Sequence, residues 1–326
     1  MLSEKIFGIK NDEEFEQLAL RVFQHQYINC KVYQRFCNLL GVTKNSVKQI
    51  TDIPFLPIEF FKKEKIVSAP SNVQQTFTSS GTTGSITSKH YVTNLKIYEN
   101  SFRKAFHYFY GDITTYTVLA LLPSYLEREG SSLVYMADQL IKDSKNSNSG
   151  FYLNETVALL QTIHELSEKQ EKVLVIGVSF ALLDIAEKQS LFLNDNITIM
   201  ETGGMKGRRK EMIREELHTT LKNGFGVSKI HSEYGMTELL SQAYSKGDGL
   251  FYCPPWMKIS VRDPEDALTL FEHNKTGGIN IIDLANINSC SFIATQDLGK
   301  TYKNGSFEIL GRFDNSDIRG CNLMLL

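Results

Sequence analysis

The chain has 326 residues, 42% of them hydrophobic and 22% charged, an ordinary globular composition with length for one large domain or two to three lobes. A formal net charge of -2 leaves no electrostatic footprint for nucleic acid. Five cysteines without a CxxC pair, and histidines without ligand spacing, exclude a zinc or disulfide framework and point to free thiols in a reducing compartment.

The N-terminus alternates charged and apolar residues and lacks the apolar core of a signal peptide, so a cytoplasmic protein is expected. Residues 1–50 read as helical, with Phe15, Leu18, Leu20 and Phe23, then Tyr33, Phe36 and Leu39, at helical spacing. Pro54 and Pro57 break that pattern, since each removes a donor and pushes its predecessor to an extended shape. In the following Ile58–Lys63 run, the pair Phe60 and Phe61 is expected to face the core.

Next comes Thr78-Ser79-Ser80-Gly81-Thr82-Thr83-Gly84-Ser85, six hydroxyls and two glycines in eight residues. Such a run is either a flexible linker or a cradle that turns backbone N–H groups and hydroxyls towards a phosphate. It is no Walker loop, because only two residues separate Gly81 from Gly84 and no GxxxxGK[ST] spacing exists. A strand at Lys89–Val92, a helix from about Leu95 to Phe109 and a buried strand at Thr117–Leu122 follow. Pro123–Ser132 is an irregular polar segment after a strand end, where open α/β sheets bind ligands, and Lys142–Gly150 reads as an exposed loop.

Asn154 is placed as the cap of a helix with Val157, Leu160, Ile163 and Leu166 inward. Lys172–Phe180 reads as a strand, Leu182–Lys188 as a helix and Asn196–Glu201 as a strand, an order that argues for a largely parallel sheet. The longest apolar run, Val173–Ala186, is too short for a membrane span and contains Asp184. In Glu201-Thr-Gly203-Gly204-Met-Lys206-Gly-Arg208-Arg209-Lys210, four cations crowd the expected start of a helix with Met212, Ile213, Leu217 and Leu221 inward and Gly224 as its stop. The helix dipole disfavours cations there, so either a bound anion or a solvated turn accounts for them. Tyr234-Gly235-Met236-Thr237-Glu238 groups an aromatic ring, a hydroxyl and a carboxylate, and is either a simple turn or a set of parts that suit a base, a phosphate and Mg2+. From about residue 251 the chain turns to short β-rich runs with glycine turns, expected to form a small barrel-like lobe.

Taken in order, Thr78-Ser-Ser-Gly-Thr-Thr-Gly84, Tyr234-Gly-Met-Thr-Glu238, and Asp297 followed by Gly311-Arg-Phe-Asp314 resemble the adenylate-forming superfamily of acyl-CoA synthetases, adenylation domains and luciferases. A closer resemblance, to LuxE-type acyl-protein synthetases, rests on Ile53-Pro-Phe-Leu-Pro-Ile-Glu-Phe-Phe-Lys62, Pro123-Ser-Tyr-Leu-Glu-Arg128 with Gly130-Ser-Ser132, and Glu201-Thr-Gly-Gly-Met-Lys-Gly-Arg-Arg209. The fold so implied is an α/β adenylate-forming domain over residues 1–326: layered α/β/α subdomains to about 250, then a β-rich lobe from about 251 to 326 that ends at the hinge.

The resemblance also implies ATP and Mg2+ as cofactors and a small-molecule carboxylic acid as substrate. Thr78, Ser79, Ser80, Gly81, Thr82, Thr83 and Gly84 would close over the β- and γ-phosphates, with Gly203 and Gly204 bordering adenine. Tyr234, next to Gly235, would stack on adenine, Thr237 would contact the α-phosphate and Glu238 would hold Mg2+. Asp297 would bind the ribose, assisted by Arg312, and Asp314 falls at the hinge position. An acyl-adenylate would then pass its acyl group to a thiol: Cys321, coenzyme A or the arm of an acyl carrier protein, with a reductase as a further partner.

Because the sequence stops shortly after the hinge motif, the superfamily's lid and its lysine are expected to be absent. Lys206 and Lys89 are the candidates to stand in for that lysine. The alternative is a non-catalytic nucleotide- or acyl-binding subunit of a partner enzyme. Cys321 near Arg319 has two readings, an acyl-accepting thiolate and an inert cysteine in an apolar tail. Neither the acid nor the oligomeric state is legible.

Overall fold

The computed structural model describes residues 2–68, 72–80, 86–123, 130–203, 209 and 212–313. The chain forms two compact units: Met1–Ser101, Thr237–Ser241 and Tyr252–Leu326 make the first, and Phe102–Met236 with Gln242–Phe251 the second. The first unit is thus assembled from both ends of the chain plus the five residues that begin with Thr237.

The first unit carries an antiparallel sheet in the spatial order Leu270–Phe271, Met257–Arg262, Thr276–Asp283, Phe292–Thr301 and Phe307–Arg312, with Leu56–Pro57 parallel to Phe292–Thr301. Gly299 sits in that ladder because a Cβ there would lie 2.3 Å from the Glu308 carbonyl oxygen. The helices Asp12–Asn29 and Lys31–Leu39 form where the spacing places helix, with Phe15, Leu18 and Phe23 buried; Leu20 is only half-buried and Val22 takes its place in the core. Asn11 caps the first of them, its side chain accepting from the Glu14 N–H at 2.9 Å. Gln26, fully buried, ties this helix to the far end of the sequence: its amide donates to the Asn286 and Ile287 carbonyls and accepts from the Ser291 N–H. Leu39 is exposed, and of the pair Phe60 and Phe61 only Phe61 is buried.

The second unit is a parallel sheet in the order Gly150–Phe151, Tyr116–Leu121, Lys172–Gly177, Ile197–Thr202 and His231–Tyr234, closed by antiparallel Ala243–Ser245. Val118–Leu121 and Val173–Ile176 are wholly buried, which is why they read as apolar runs without alternation. The helices Ser132–Ser144, Thr156–Glu168, Ser179–Ala186 and Arg214–Phe225 lie between successive strands.

Several local expectations are corrected here. The helix expected after Asn154 begins at Thr156 and has no side-chain cap; it buries Leu159, Ile163 and Leu166, while Val157 is exposed. The helix expected to start among the cations begins at Arg214 with Glu215 and Glu216 in its first turn, so the dipole conflict does not arise, and Ile213 is exposed. Arg209 is paired with Glu187 and Asp184. Gly224 does not end that helix. It lies inside it, where a Cβ would come within 2.5 Å of Ala186, and the left-handed stop is Gly226 at φ +65°.

Candidate active site

In the first unit, Gln75–Thr78 and Lys89–Val92 pair antiparallel, so the Ser/Thr/Gly run is the connection of a hairpin. Its base is stitched by Ser79 N–H to the Ser88 carbonyl at 3.1 Å and by Ser88 N–H to the Ser79 hydroxyl at 2.9 Å. Thr78 stands opposite Lys89, and Ser80 is exposed. Gly81, Thr82, Thr83 and Gly84 lie outside the described residues.

Thr237–Ser241 is held by its main chain at four successive points. The Thr237 carbonyl accepts from His90 Nδ1 at 2.9 Å, and the Glu238 carbonyl from Asn286 Nδ2 at 2.8 Å. Asp283 Oδ2 accepts from the Leu240 and Ser241 N–H groups, each at 2.9 Å, while its Oδ1 accepts from the Ser241 hydroxyl at 2.6 Å and the Ala285 N–H at 3.0 Å. Burial pushes the Asp283 carboxyl up to about 6 even with these donors around it. Trp256 Nε1 donates to Ser101 and Ser241, closing the network on its apolar side.

The Glu238 carboxyl is buried and raised above its ordinary value, chiefly by desolvation, against a hydrogen bond from Ser88 and the nearby charges of Arg312 and Lys62. Asp297 is buried on Phe292–Thr301, and Arg312, opposite it in the ladder, donates from Nε at 3.1 Å. Beneath that pair lies Arg262, which donates to the Ile279 and Thr295 carbonyls and to Asn280 Oδ1. Gly278 leaves the room that this guanidinium fills, since a Cβ there would lie 2.6 Å from Arg262 Cζ. The structure therefore gathers the hairpin base, Thr237, Glu238 and Arg312 in one unit.

In the second unit, Gly203 and Tyr234 follow Thr202 and Glu233, which are register partners at the ends of adjacent parallel strands. Gly203 has φ +26°, and Tyr234 meets Phe251 edge-on at 6.0 Å. Gly235 lies close to the Glu233 side chain, where a Cβ would sit 2.4 Å from Oε1. Just before Gly203, Glu201 is buried among Ser179 at 3.3 Å and His218 and Arg214 at 3.7 Å. Burial raises its carboxyl, but His218, Arg214 and Ser232 outweigh that and hold it below the ordinary range. Gly204 and residues 205–208 lie outside the described residues.

Among the described cysteines, Cys30, Cys37 and Cys290 are buried, and desolvation raises all of them and Cys253, Cys37 to about 12. None of these is a poised thiolate. Cys321 and Asp314 lie outside the described residues. His90, Asp283, Asn286 and Arg262 carry no local motif and were missed by the sequence reading. The only hint was the apolar company of Asp283, in Asn-Ile-Ile-Asp-Leu-Ala, where an unpartnered acid would be costly.

Residues 6–110 match the family described as acyl-protein synthetase, LuxE. Over 339 aligned positions, 96% of this chain and 88% of the relative, the sequence is 22% identical to the long-chain-fatty-acid–luciferin-component ligase of Vibrio harveyi. It is 36% identical over 70 residues, 21% of this chain and 60% of the relative, to the Photorhabdus luminescens protein of the same description. The fold superposes on 2-hydroxyisobutyryl-CoA ligase, solved in an open conformation with 2-HIB-AMP and CoA, with a TM-score of 0.67 at 12% identity, covering 94% of this chain and 72% of that one. No helix among the described residues is long and apolar enough to cross a membrane. By sequence, residues 6–110 are similar to the LuxE acyl-protein synthetases, and the fold of the chain is similar to that of an acyl-CoA ligase.

Proposed function

We propose that this chain activates a carboxylic acid with ATP and passes the acyl group to a thiol. The observation that carries the reading is the conjunction of a ligase relative along 96% of the chain with a fixed Thr237–Glu238 segment beside the hairpin base. In the first step a carboxylate oxygen attacks the α-phosphorus of ATP and the bond to the bridging oxygen of pyrophosphate breaks. The Thr237 hydroxyl donates to the α-phosphate as charge builds on its oxygens, and the hairpin loop of Thr78 to Gly84 cradles the departing phosphates. Tyr234 offers its ring to adenine, with Gly203, Gly204 and Gly235 allowing close approach. Asp297, steadied by Arg312, accepts from the ribose hydroxyls.

Among the described residues no group of three His, Cys, Asp or Glu side chains could cage a metal. Magnesium is commonly held by one or two carboxylates together with substrate phosphates, and a lone buried Glu238 fits that donor set. Bound there, it would neutralise phosphate charge. In the second step a thiolate attacks the acyl carbon and AMP leaves with the electron pair. Cys321 supplies that thiol in the covalent version; coenzyme A or a carrier protein supplies it otherwise. A cytoplasmic setting suits a free thiol.

The test is acid-dependent pyrophosphate release by the purified chain over a panel of short, medium and long acids, followed by mass spectrometry of the intact protein. Release with an acyl adduct on Cys321 is expected, and the adduct should vanish in Cys321→Ala. Full thioester turnover in Cys321→Ala would move the thiol to a soluble acceptor. No release with any acid, alongside tight AMP binding, would replace the enzyme by a nucleotide-binding subunit.

A further inference from the structure

We infer that His90 is a positioning residue that sets the phosphate hairpin and the Thr237–Glu238 segment in one fixed register; the inference rests on the acyl-adenylating reading above. Side chains two apart on a strand share a face, so Ser88 and His90 point the same way from the returning arm of the hairpin. Both lie against the same segment: Ser88 is near enough to the Glu238 carboxyl to lower its pKa, and His90 hydrogen-bonds the Thr237 carbonyl at 2.9 Å. The returning arm of the hairpin is therefore clamped, close to its base, to the backbone of the residue proposed for the α-phosphate, next to the side chain proposed for the metal.

The chemistry of the ring makes this clamp rigid. A carbonyl oxygen only accepts, so Nδ1 carries the proton facing Thr237. Desolvation in this fully enclosed site lowers the imidazole to about 4, so the ring is neutral and Nε2 has a lone pair. The Ser289 hydroxyl at 2.9 Å then gives it its one proton, in preference to the Asn286 carbonyl at 3.3 Å. Ser289 is itself fixed, its carbonyl accepting from the buried Ser68 hydroxyl at 2.5 Å. The Phe61 ring meets the imidazole edge-on at 5.7 Å. A neutral ring bonded at both nitrogens serves as a gauge of distance and adds no charge beside Glu238.

The experiment follows acid-dependent ATP–pyrophosphate exchange in wild type, His90→Ala, His90→Asn and Ser289→Ala, with melting midpoints and 15N imidazole spectra. Misplacing Thr237 and Glu238 by about 1 Å should lower kcat roughly ten- to hundredfold in His90→Ala while KM for the acid stays within about twofold. Asparagine keeps a donor at the Nδ1 position, so His90→Asn should regain most of the rate although it loses the Ser289 bond. Spectra of the wild type should show a protonated Nδ1 and a bare Nε2 throughout pH 5–8.

Unchanged kcat in His90→Ala well below its melting midpoint, or the opposite tautomer, would overturn the inference. Should His90→Ala fail to fold, Ser289→Ala carries the test, with a few-fold lower kcat expected and an unchanged kcat overturning it. Exchange in wild type with no response in the variants removes the positioning role alone. No exchange in wild type removes the acyl-adenylating reading and this role with it.

Discussion

Asp283 is the group on which the Thr237–Ser241 segment most depends, and its substitution gives a result specific to named amides. In Asp283→Asn the best orientation puts the amide oxygen where Oδ2 was, still accepting from Leu240 and Ser241 N–H. The new NH2 then faces the Ser241 hydroxyl, which can rotate to accept, and the Ala285 N–H, which cannot. One buried donor is orphaned, at a cost of about 1–3 kcal/mol. Hydrogen exchange is the suitable assay, because a chain of two compact units need not unfold in one step. Exchange at Ala285 should accelerate by roughly ten- to hundredfold, a tenfold change being about 1.4 kcal/mol, with Leu240 and Ser241 nearly unaffected. Asp283→Ala removes every acceptor and should release all these amides together, moderated by any water that enters the polar hole. Equal protection of Ala285 in wild type and Asp283→Asn would refute the assigned network.

Two further outcomes are expected. Gly224→Ala would push a methyl into the Ala186 backbone, 2.4 Å from its carbonyl oxygen, and should destabilise the second unit by about 1–3 kcal/mol or more in urea unfolding, whereas a purely terminating glycine would tolerate alanine far better. Glu201 has a carboxyl held below its ordinary 4.5, so its contribution to stability is present above that pH and is lost as pH falls through the lower folded value; Glu201→Gln should flatten the acid limb of the second unit's unfolding curve, and an unaltered limb would show that another carboxylate carries it.

Much of the fold was legible because its periodicities are local. Val118–Leu121 and Val173–Ile176 are buried on both faces and read as unbroken apolar runs, and Phe15, Leu18 and Phe23 mark one helix face. Helix ends were less legible. Gly224 and Gly226 are both plausible stops in sequence, and only the approach of Ala186 to one, and the left-handed conformation of the other, separates them. The cations from Lys206 to Lys210 suggested an anion site because the helix start was placed among them; the acidic first turn at Glu215 and Glu216 was the competing signal.

The candidate site divides along the same line. Residues that would touch ligand, such as Thr237, Glu238, Asp297 and Arg312, sit in short motifs and were found from a resemblance. Those that hold them were not, because the hydrogen bond from His90 to Thr237 spans 147 positions and the one Asp283 accepts from Leu240 spans 43. Neither residue has a neighbour in sequence that announces its partner. What distinguishes them is burial of a polar group in apolar surroundings, which is affordable only where every donor and acceptor is met. A ligase site must hold charged phosphates without the framework shifting under them, and main-chain carbonyls and amides pinned by buried side chains give that stiffness without adding net charge next to the nucleotide. His90 meets this condition as a neutral ring, and the Asp283 carboxyl is spent on the Leu240, Ser241 and Ala285 amides and the Ser241 hydroxyl that Trp256 also binds. The supporting residues are therefore the part of the site whose substitution should alter rate without altering which ligands bind.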